Sequence, residues 1–126
     1  MPDIKLTTTP WQLAICKLSD MVIPEWARAS GFVCFTRTPQ EFSLVCEAEC
    51  VPDQVLAERG WRSITVVGPL DFSMVGIIAG MTHILAAARI SVFVISTYNT
   101  DYLLVKADRL EAAADVLKSA GYEFVS

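Results

Sequence analysis

This 126-residue sequence is poor in the residue types on which most catalytic and metal sites depend. It contains one histidine, His83, and four cysteines, none of them in a C-x-x-C pair. No glycine-rich phosphate loop occurs, and no serine, histidine and aspartate arrangement indicates an activated nucleophile. Cys16, Cys34 and Cys46 lie in apolar runs, so we expect reduced, buried thiols rather than zinc ligands. We therefore expect a protein that is not an enzyme and needs no metal or cofactor.

Long hydrophobic runs and clusters of basic residues are also scarce. The longest run of apolar and glycine residues, Met74–Met81, is far shorter than the ~20 residues that span a bilayer, so it predicts a core helix. The ten lysines and arginines are scattered singly in a chain of net charge −4, and no basic stripe suits a phosphate backbone. The first residues have no charged-then-apolar signal pattern. We expect a cytoplasmic protein that binds neither nucleic acid nor membrane.

Apolar residues, by contrast, are abundant. They make up 53% of the chain, and the mean hydropathy is +0.44. A chain of this length buries about 65% of its unfolded surface, so it can fold without a disulfide or a metal. We expect the surplus to be buried in a sheet covered on one face and in an oligomer, most simply a homodimer.

The chain also carries an internal repeat. The segment Phe32–Glu47 aligns without gaps on Val92–Ala107, 60 positions further along. Gln54–Trp61 aligns on Asp115–Tyr122, and both of these segments end in a glycine followed by an aromatic residue. The stretches WQLAICKL and WRSITVVG, which each begin with tryptophan, give a third match. Three matches in the same order indicate two copies of one plan.

The second copy predicts the order β-α-β-β-α-β. After a β-branched strand, we expect Asp71 or Ser73 to cap a first helix. Two strands then form a hairpin around Asn99 and Thr100, where asparagine tolerates a left-handed turn. Asp108 is expected to cap a second helix, and a short strand ends the chain. This order predicts an α+β, ferredoxin-like fold with two helices on one face of an antiparallel sheet.

The first copy is the shorter of the two. It retains the first strand, the hairpin and the second helical segment, but its first helix shrinks to about one turn between Ile23 and Arg28, with Pro24 at its start. We therefore interpret residues 1–60 as a degenerate unit and residues 61–126 as a complete one. The sequence leaves open whether the last strand, YEFV, completes its own copy or crosses to the first.

Polar residues are concentrated in two loops of the second copy, GPLDFS (68–73) and STYNTD (96–101). We expect the first and second strands to be sheet neighbours, which would bring both loops near the start of the first helix, where free N–H groups favour a carboxylate. Asp71 and Asp101 could hold an ammonium or guanidinium group. This mixture suits a zwitterionic amino acid. A purely structural use as cap and turn remains an alternative, although the matching turn of the first copy, RTPQE, has a different composition.

The second copy resembles the ACT domain, in the tandem form known from small bacterial proteins, aspartate kinase regulatory regions and the CASTOR arginine sensors. The resemblance rests on GPLDFS, STYNTDYLLV and the helix DRLEAAADVL. It covers residues 61–126 firmly and extends weakly over 11–60. It implies a regulatory module that binds an amino acid or related small molecule at an interface between ACT units. Carried onto this chain, the implied ligand-binding residues are Gly68, Asp71, Phe72, Ser73, Ser96, Thr97, Asn99, Thr100 and Asp101.

Within that resemblance, Asp101 would meet the cationic group of the ligand, and backbone amides near Phe72 or Ser73 would meet its carboxylate. Two alternatives belong to other functional classes. One is a protein-interaction module on the same scaffold that no longer binds a ligand. The other is an enzyme that uses Asp71 and Asp101 in a racemase- or mutase-like reaction. The sequence does not identify the amino acid or the pathway that is regulated.

Overall fold

The computed structural model describes residues 4–68 and 75–125. It forms two compact units, an N-terminal unit of Trp11–Trp61 and a C-terminal unit of Met1–Pro10 with Arg62–Ser126. The predicted division at residue 60 into two copies of one plan stays a prediction. The strands and helices are β1 (Lys5–Thr8), β2 (Leu13–Leu18), β3 (Val33–Arg37), β4 (Phe42–Glu47), β5 (Ala57–Val66), α1 (Ile77–Ala87), β6 (Phe93–Ser96), β7 (Asp101–Lys106), α2 (Leu110–Ser119) and β8 (Glu123–Phe124).

The C-terminal unit has the predicted β-α-β-β-α-β order, from β5 to β8. Its strands lie in the order β6-β7-β5-β1-β8. The sheet and the two helices confirm the α+β, ferredoxin-like prediction, although the sheet is mixed rather than purely antiparallel, because β1 and β8 are parallel. The predicted neighbourhood of the first two strands of this copy was wrong, because β7 lies between β5 and β6. Strand β7 follows β6 in a hairpin. Because β7 pairs with β5 on one side, β6 pairs with β7 on the other side and lies at the edge of the sheet.

Strand β1 was not predicted, although its sequence, KLTT, contains two β-branched residues. It lies between β5 and β8, antiparallel to the first and parallel to the second, and Leu6 stands opposite both Val66 and Phe124. Backbone hydrogen bonds from Val67 to Lys5 and from Val125 to Leu6 lengthen the two ladders. The last strand therefore pairs with β1, a strand of residues 1–60 that belongs to the compact C-terminal unit.

The two helices of the C-terminal unit bury their apolar residues in one core. Met81 and Leu85 of α1 and Leu117 of α2 are fully buried, in a cluster with residues of the strands such as Leu103 and Val105. Leu104, which lies between these two in β7, is equally buried but does not belong to this cluster. This alternation is the period-2 pattern of a strand, and it fixes which residues of β7 lie beneath the helices.

The helix starts differ from the predicted ones. Helix α1 begins at Ile77, and its N-cap is Gly76 with φ of 80°, a left-handed conformation that glycine adopts without strain. The predicted N-caps Asp71 and Ser73 were therefore wrong; both lie outside the described residues. Asp108 was also predicted as a cap, but it lies inside a short 3₁₀ turn that precedes α2. The 3₁₀ turn moves the start of α2 towards the C-terminus.

The N-terminal unit contains β2, β3, β4 and the first part of β5, in the order β3-β4-β2-β5. A single 3₁₀ turn, Glu25–Ala27, follows Pro24 and confirms the predicted shortened helix. The second helical segment predicted for this copy was wrong: Gln54–Trp61 forms a turn and the start of β5. Glu58 in this segment stands opposite Ile15 of β2, so ladder hydrogen bonds hold it extended.

Arg59 stabilises the turn that replaces this helix. Its guanidinium donates hydrogen bonds of 3.2 Å to the carbonyl oxygens of Ala48, Val51 and Pro52. The carbonyls of Ala48 and Pro52 each accept a backbone N–H of the turn as well, from Val51 and Val55. A guanidinium has five donors in a fixed geometry, so one long side chain can link several carbonyls of the turn.

The four cysteines are free thiols, as expected. Cys16 and Cys46 belong to the buried cluster of the N-terminal unit. The hydrogen bond between their side chains, together with burial, raises the pKa of the Cys46 thiol, which therefore stays protonated. The two side chains act as small apolar residues of the core.

Candidate functional site

The candidate site is centred on the hairpin of β6 and β7. Ser96 and Asp101 form its last strand pair, and the loop between them has four residues. The N–H of Thr97 donates to the carbonyl oxygen of Thr100 over 2.8 Å. The Thr97 hydroxyl also donates to that carbonyl (3.1 Å) and accepts from the Thr100 N–H (3.3 Å). Thr97 therefore closes the turn with its own side chain.

The pair that ends the hairpin joins two predicted site residues. The Ser96 hydroxyl donates a 2.5 Å hydrogen bond to Oδ1 of Asp101. The Asp101 carboxylate is half-buried, while Ser96 lies exposed on the neighbouring strand. A carboxylate has two acceptor oxygens, so one oxygen can hold the hydroxyl while the other accepts from a cationic ligand group. The pair presents an oriented negative charge.

Hydrogen bonds attach the start of β7 to the end of β5. The Thr65 hydroxyl donates to the Asp101 carbonyl oxygen (2.8 Å), and the Thr100 hydroxyl donates to the Val66 carbonyl oxygen (3.1 Å). Val66 lies two residues before Gly68, whose φ is 83° and which turns the chain away from the strand. The hairpin loop is thus attached to the chain just ahead of the second predicted loop.

The structure therefore brings together some of the predicted site residues and not others. Ser96, Thr97, Thr100 and Asp101 are brought together by direct hydrogen bonds, and Gly68 follows the strand to which Thr100 is attached. Asn99 lies exposed in the loop. Its predicted left-handed conformation was wrong, because within residues 4–68 and 75–125 only Arg89 among the non-glycine residues has a positive φ. The residues of the other loop, Asp71, Phe72 and Ser73, lie outside the described residues.

The hairpin of the N-terminal unit corrects the alignment of the two copies. There too a four-residue loop begins with a threonine: the N–H of Thr38 donates to the Glu41 carbonyl oxygen (2.9 Å), and its hydroxyl accepts from the N–H groups of Gln40 and Glu41. Thr38 therefore corresponds to Thr97, 59 positions later rather than 60. The burial patterns of β4 and β7 match in this register as well.

This register changes which residues are compared. Asp101 corresponds to Phe42, and Ser96 corresponds to Arg37. Thr97 has a counterpart in the first hairpin, so its turn role accounts for it. The hydroxyl–carboxylate pair has no counterpart there. Sequence reasoning did not separate Thr97 from the Ser96–Asp101 pair. Assuming a four-residue loop, 97–100, would have placed Ser96 opposite Asp101 and separated them.

Exposed apolar side chains flank the hairpin, and the sequence did not single them out. Tyr98 at the loop tip is 80% exposed, and Phe93 and Val94 of β6 are exposed as well. Val67, directly after β5, and Val75, two residues before the start of α1, are also exposed. A small protein commonly exposes single apolar residues, and Phe93 and Val94, as neighbours in one strand, lie on opposite faces of the sheet.

The start of α1 offers backbone donors. Its N-cap is a glycine, so no side chain of that residue caps the first N–H groups of the helix. Among the described residues, no group of three or more histidine, cysteine, aspartate or glutamate side chains could hold a metal ion. In the same part of the chain, no helix is long and apolar enough to span a membrane.

Comparisons with protein families divide the chain into two matched segments. A family model described as the ACT domain matches residues 56–119. A second model, described as an N-terminal domain, matches residues 12–54. The first match covers about half of the chain and includes β6, β7 and both helices.

Curated relatives are considerably longer than this chain. The cytosolic arginine sensor for mTORC1 subunit 1 of Rattus norvegicus is 33% identical over 111 residues, which cover 76% of this chain and 34% of the sensor. The human protein of the same name is 35% identical over 95 residues, covering 69% of this chain and 29% of the sensor. The chain thus spans about one third of the length of these relatives.

Solved structures include one very similar protein. A crystal structure from Agobacterium tumefaciens is 37% identical, with a TM-score of 0.91, and the match covers 99% of this chain and 94% of that one. The ligand-free regulatory subunit of aspartate kinase from Thermus thermophilus has a TM-score of 0.63 at 10% identity, covering 92% and 96%. The second likeness concerns the fold alone.

Proposed function

This chain belongs to the ACT domain family, and on that premise we propose that it is a regulatory protein that binds an amino acid, or a related small molecule, at the β6–β7 hairpin. The ACT scaffold relates it to amino-acid sensing. The proposed ligand-binding residues are Gly68, Asp71, Phe72, Ser73, Ser96, Thr97, Asn99, Thr100 and Asp101.

The observation that carries the proposal is the hydrogen bond between Ser96 and Asp101. It joins the half-buried Asp101 to the Ser96 hydroxyl at the last strand pair of the hairpin. The matching hairpin of the same chain has Arg37 and Phe42 at its last strand pair. Turn formation does not require this pair, because the first hairpin closes the same loop without it. A fixed carboxylate is suited to an ammonium or guanidinium group.

The names of the relatives agree with such a ligand. One is a cytosolic arginine sensor, and another is the regulatory subunit of aspartate kinase. Both names describe regulation rather than catalysis, so we propose a non-enzymatic role. We further propose that the protein is cytoplasmic and acts as a homodimer, in which a second ACT unit completes the site at an interface between two copies.

Isothermal titration calorimetry against the twenty amino acids tests this function. We expect at least one of them to bind. Asp101→Ala should then weaken that binding by ~2 kcal/mol or more, about 30-fold, because the bound ammonium would be left without its charged partner. Glu41→Ala is the matched control, since Glu41 is a carboxylate on the other hairpin loop and should leave the affinity unchanged. If none of the twenty amino acids gives a heat of binding in calorimetry or a thermal shift, the proposal is contradicted.

A protein-interaction module on the same scaffold is the second candidate. The exposed aromatic side chain of Tyr98 at the loop tip favours it, because aromatic side chains are enriched at the centre of interfaces. In that case Tyr98→Ser would alter oligomeric state, measured by sedimentation velocity, and ligand screens would remain negative. A ligand effect that depends on Asp101, with no change in assembly by Tyr98→Ser, would exclude it.

A further inference from the structure

A cavity of about 420 Å³ opens in the N-terminal unit, and all of its lining residues belong to that unit. This volume lies in the range of small-molecule sites, roughly 300–1,000 Å³. The cavity lies at the end of β2, between the segment that follows this strand and the turn that precedes β5.

The cavity exists because this unit lacks two helices. Between β2 and β3 the chain forms one 3₁₀ turn, Glu25–Ala27, whereas the matching connection of the C-terminal unit contains the eleven-residue helix α1. After β4 it forms turns in place of a second helix. The N–H of Lys17 donates to the Leu56 carbonyl oxygen (2.9 Å), which attaches the turn to the end of β2 and forms one wall.

Apolar side chains form much of the lining. Trp26 is half-buried, and Val22 and Leu56 are 65% and 71% exposed. Leaving such side chains in water is unfavourable by roughly 25 cal/mol for each Å² of apolar surface, so an apolar ligand that covers them is favoured. Trp26 provides a flat aromatic surface for that contact.

Two residues of opposite charge, Lys17 and Asp20, also line the cavity. Both side chains are exposed. A cavity that offers one cation, one anion and an aromatic wall matches a ligand with a carboxylate, an ammonium and an apolar body.

We propose that this cavity is a second ligand site, which binds a zwitterion with an apolar side chain, of the chemical class of leucine or phenylalanine. Lys17 pairs with the carboxylate of the ligand, Asp20 pairs with its ammonium, and Trp26 packs against its side chain. The site is separate from the hairpin of β6 and β7 and does not depend on the function proposed for that hairpin.

The test uses the full chain, with leucine and phenylalanine as probes. In ¹H–¹⁵N spectra the indole N–H signal of Trp26, identified with Trp26→Phe, should shift on titration, while those of Trp11 and Trp61 stay in place. N-acetyl-leucinamide, which has the apolar body and neither charge, should bind at least 10-fold more weakly than leucine. Lys17→Gln and Asp20→Asn should each raise the Kd of leucine about 10-fold or more.

Two variants serve as controls. Asp53→Asn changes an exposed carboxylate of the same unit that does not line the cavity, and Asp101→Asn changes the hairpin; both should leave the Trp26 titration unchanged. Loss of leucine binding in Asp101→Asn but not in Lys17→Gln would overturn this inference and leave the proposed function standing. An unmoved Trp26 signal, or one that shifts with protein concentration alone as a second copy covers the cavity, would also overturn it.

Discussion

The two hairpins of this chain have the same backbone and different chemistry. Each has a four-residue loop that begins with a threonine, and in each the threonine hydroxyl accepts a backbone N–H of the loop. At the last strand pair the first hairpin has Arg37 and Phe42, and the second has Ser96 and Asp101. The turn-closing role of the threonine is therefore common to both hairpins, whereas the serine–aspartate pair belongs to the second hairpin alone.

The surroundings of the two hairpins differ as well. Among the described residues, Leu103 in β7 lies in a cluster of twelve buried residues that includes side chains of α1 and α2. Leu44, its counterpart in β4, lies in a cluster of six, beside short turns. The unit whose sheet is covered by helices thus has the larger core, and the unit whose sheet is covered by turns has the smaller core.

The largest expected effect contrasts these two cores. Leu103→Ala should lower the free energy of unfolding by ~4 kcal/mol and Leu44→Ala by ~3 kcal/mol, because helices keep the cavity open while turns can close over it. Urea titrations followed by circular dichroism give the totals, and hydrogen exchange assigns them to each unit. A greater cost for Leu44→Ala would show that the turns cover their core as tightly as the helices do.

Arg59 tests how the N-terminal unit holds its shape without the second helix. Arg59→Met keeps the apolar stem but removes the hydrogen bonds to the carbonyls of Ala48, Val51 and Pro52. We expect a loss of ~2 kcal/mol in unfolding free energy. Hydrogen exchange should increase at Val51 and Val55, whose N–H groups form the turn. Arg37→Met, on the exposed edge of the first hairpin, is the matched control and should change stability little.

Thr38 and Thr97, the matching threonines of the two hairpin loops, allow the stability of the two turns to be compared. Thr38→Val and Thr97→Val should each cost ~1 kcal/mol, since each removes the side-chain hydrogen bonds of one loop. Thermal unfolding of the two variants measures this. Thr97→Val should also leave ligand affinity within about threefold if Thr97 serves only the turn. A loss comparable to that of Asp101→Ala would place its hydroxyl on the ligand.

The smallest effect is expected for a buried polar group that belongs to one unit only. The Tyr122 hydroxyl is buried without a hydrogen-bond partner among residues 4–68 and 75–125, so Tyr122→Phe should change stability at pH 7 by no more than ~0.5 kcal/mol. Burial raises the pKa of Tyr122, which makes the neutral form the stable one in the folded protein. That stability is present below pH ~10 and is lost as the pH rises through the raised pKa.

Denaturation curves at pH 7 and above pH 10 provide the readout. The native chain should lose stability relative to Tyr122→Phe only in the alkaline range. Equal pH profiles for the two proteins would mean that the tyrosine titrates normally and that its hydroxyl reaches water in the folded state.

Much of the candidate site could be predicted from residue types. The polar loop 96–101 and the acidic residue at its end are visible in the sequence, and Ser96 and Asp101 are indeed hydrogen-bonded. The sequence could not separate Thr97, which closes the turn, from the pair beside it. That distinction depends on strand register, and a shift of one residue moves every side chain to the other face of a sheet.

Local features followed from the sequence by itself: the order of elements from β5 to β8, the single turn after Pro24, and the end of α2 shortly before Gly121, whose φ is 107°. Each depends on residues close together in the chain. Tertiary structure decided the rest. Strand β1 lies between β5 and β8, β7 rather than β6 lies beside β5, and Gln54–Trp61 becomes turn and strand. These outcomes depend on pairing between segments distant in sequence, where the gain from completing a sheet exceeds local helical preference.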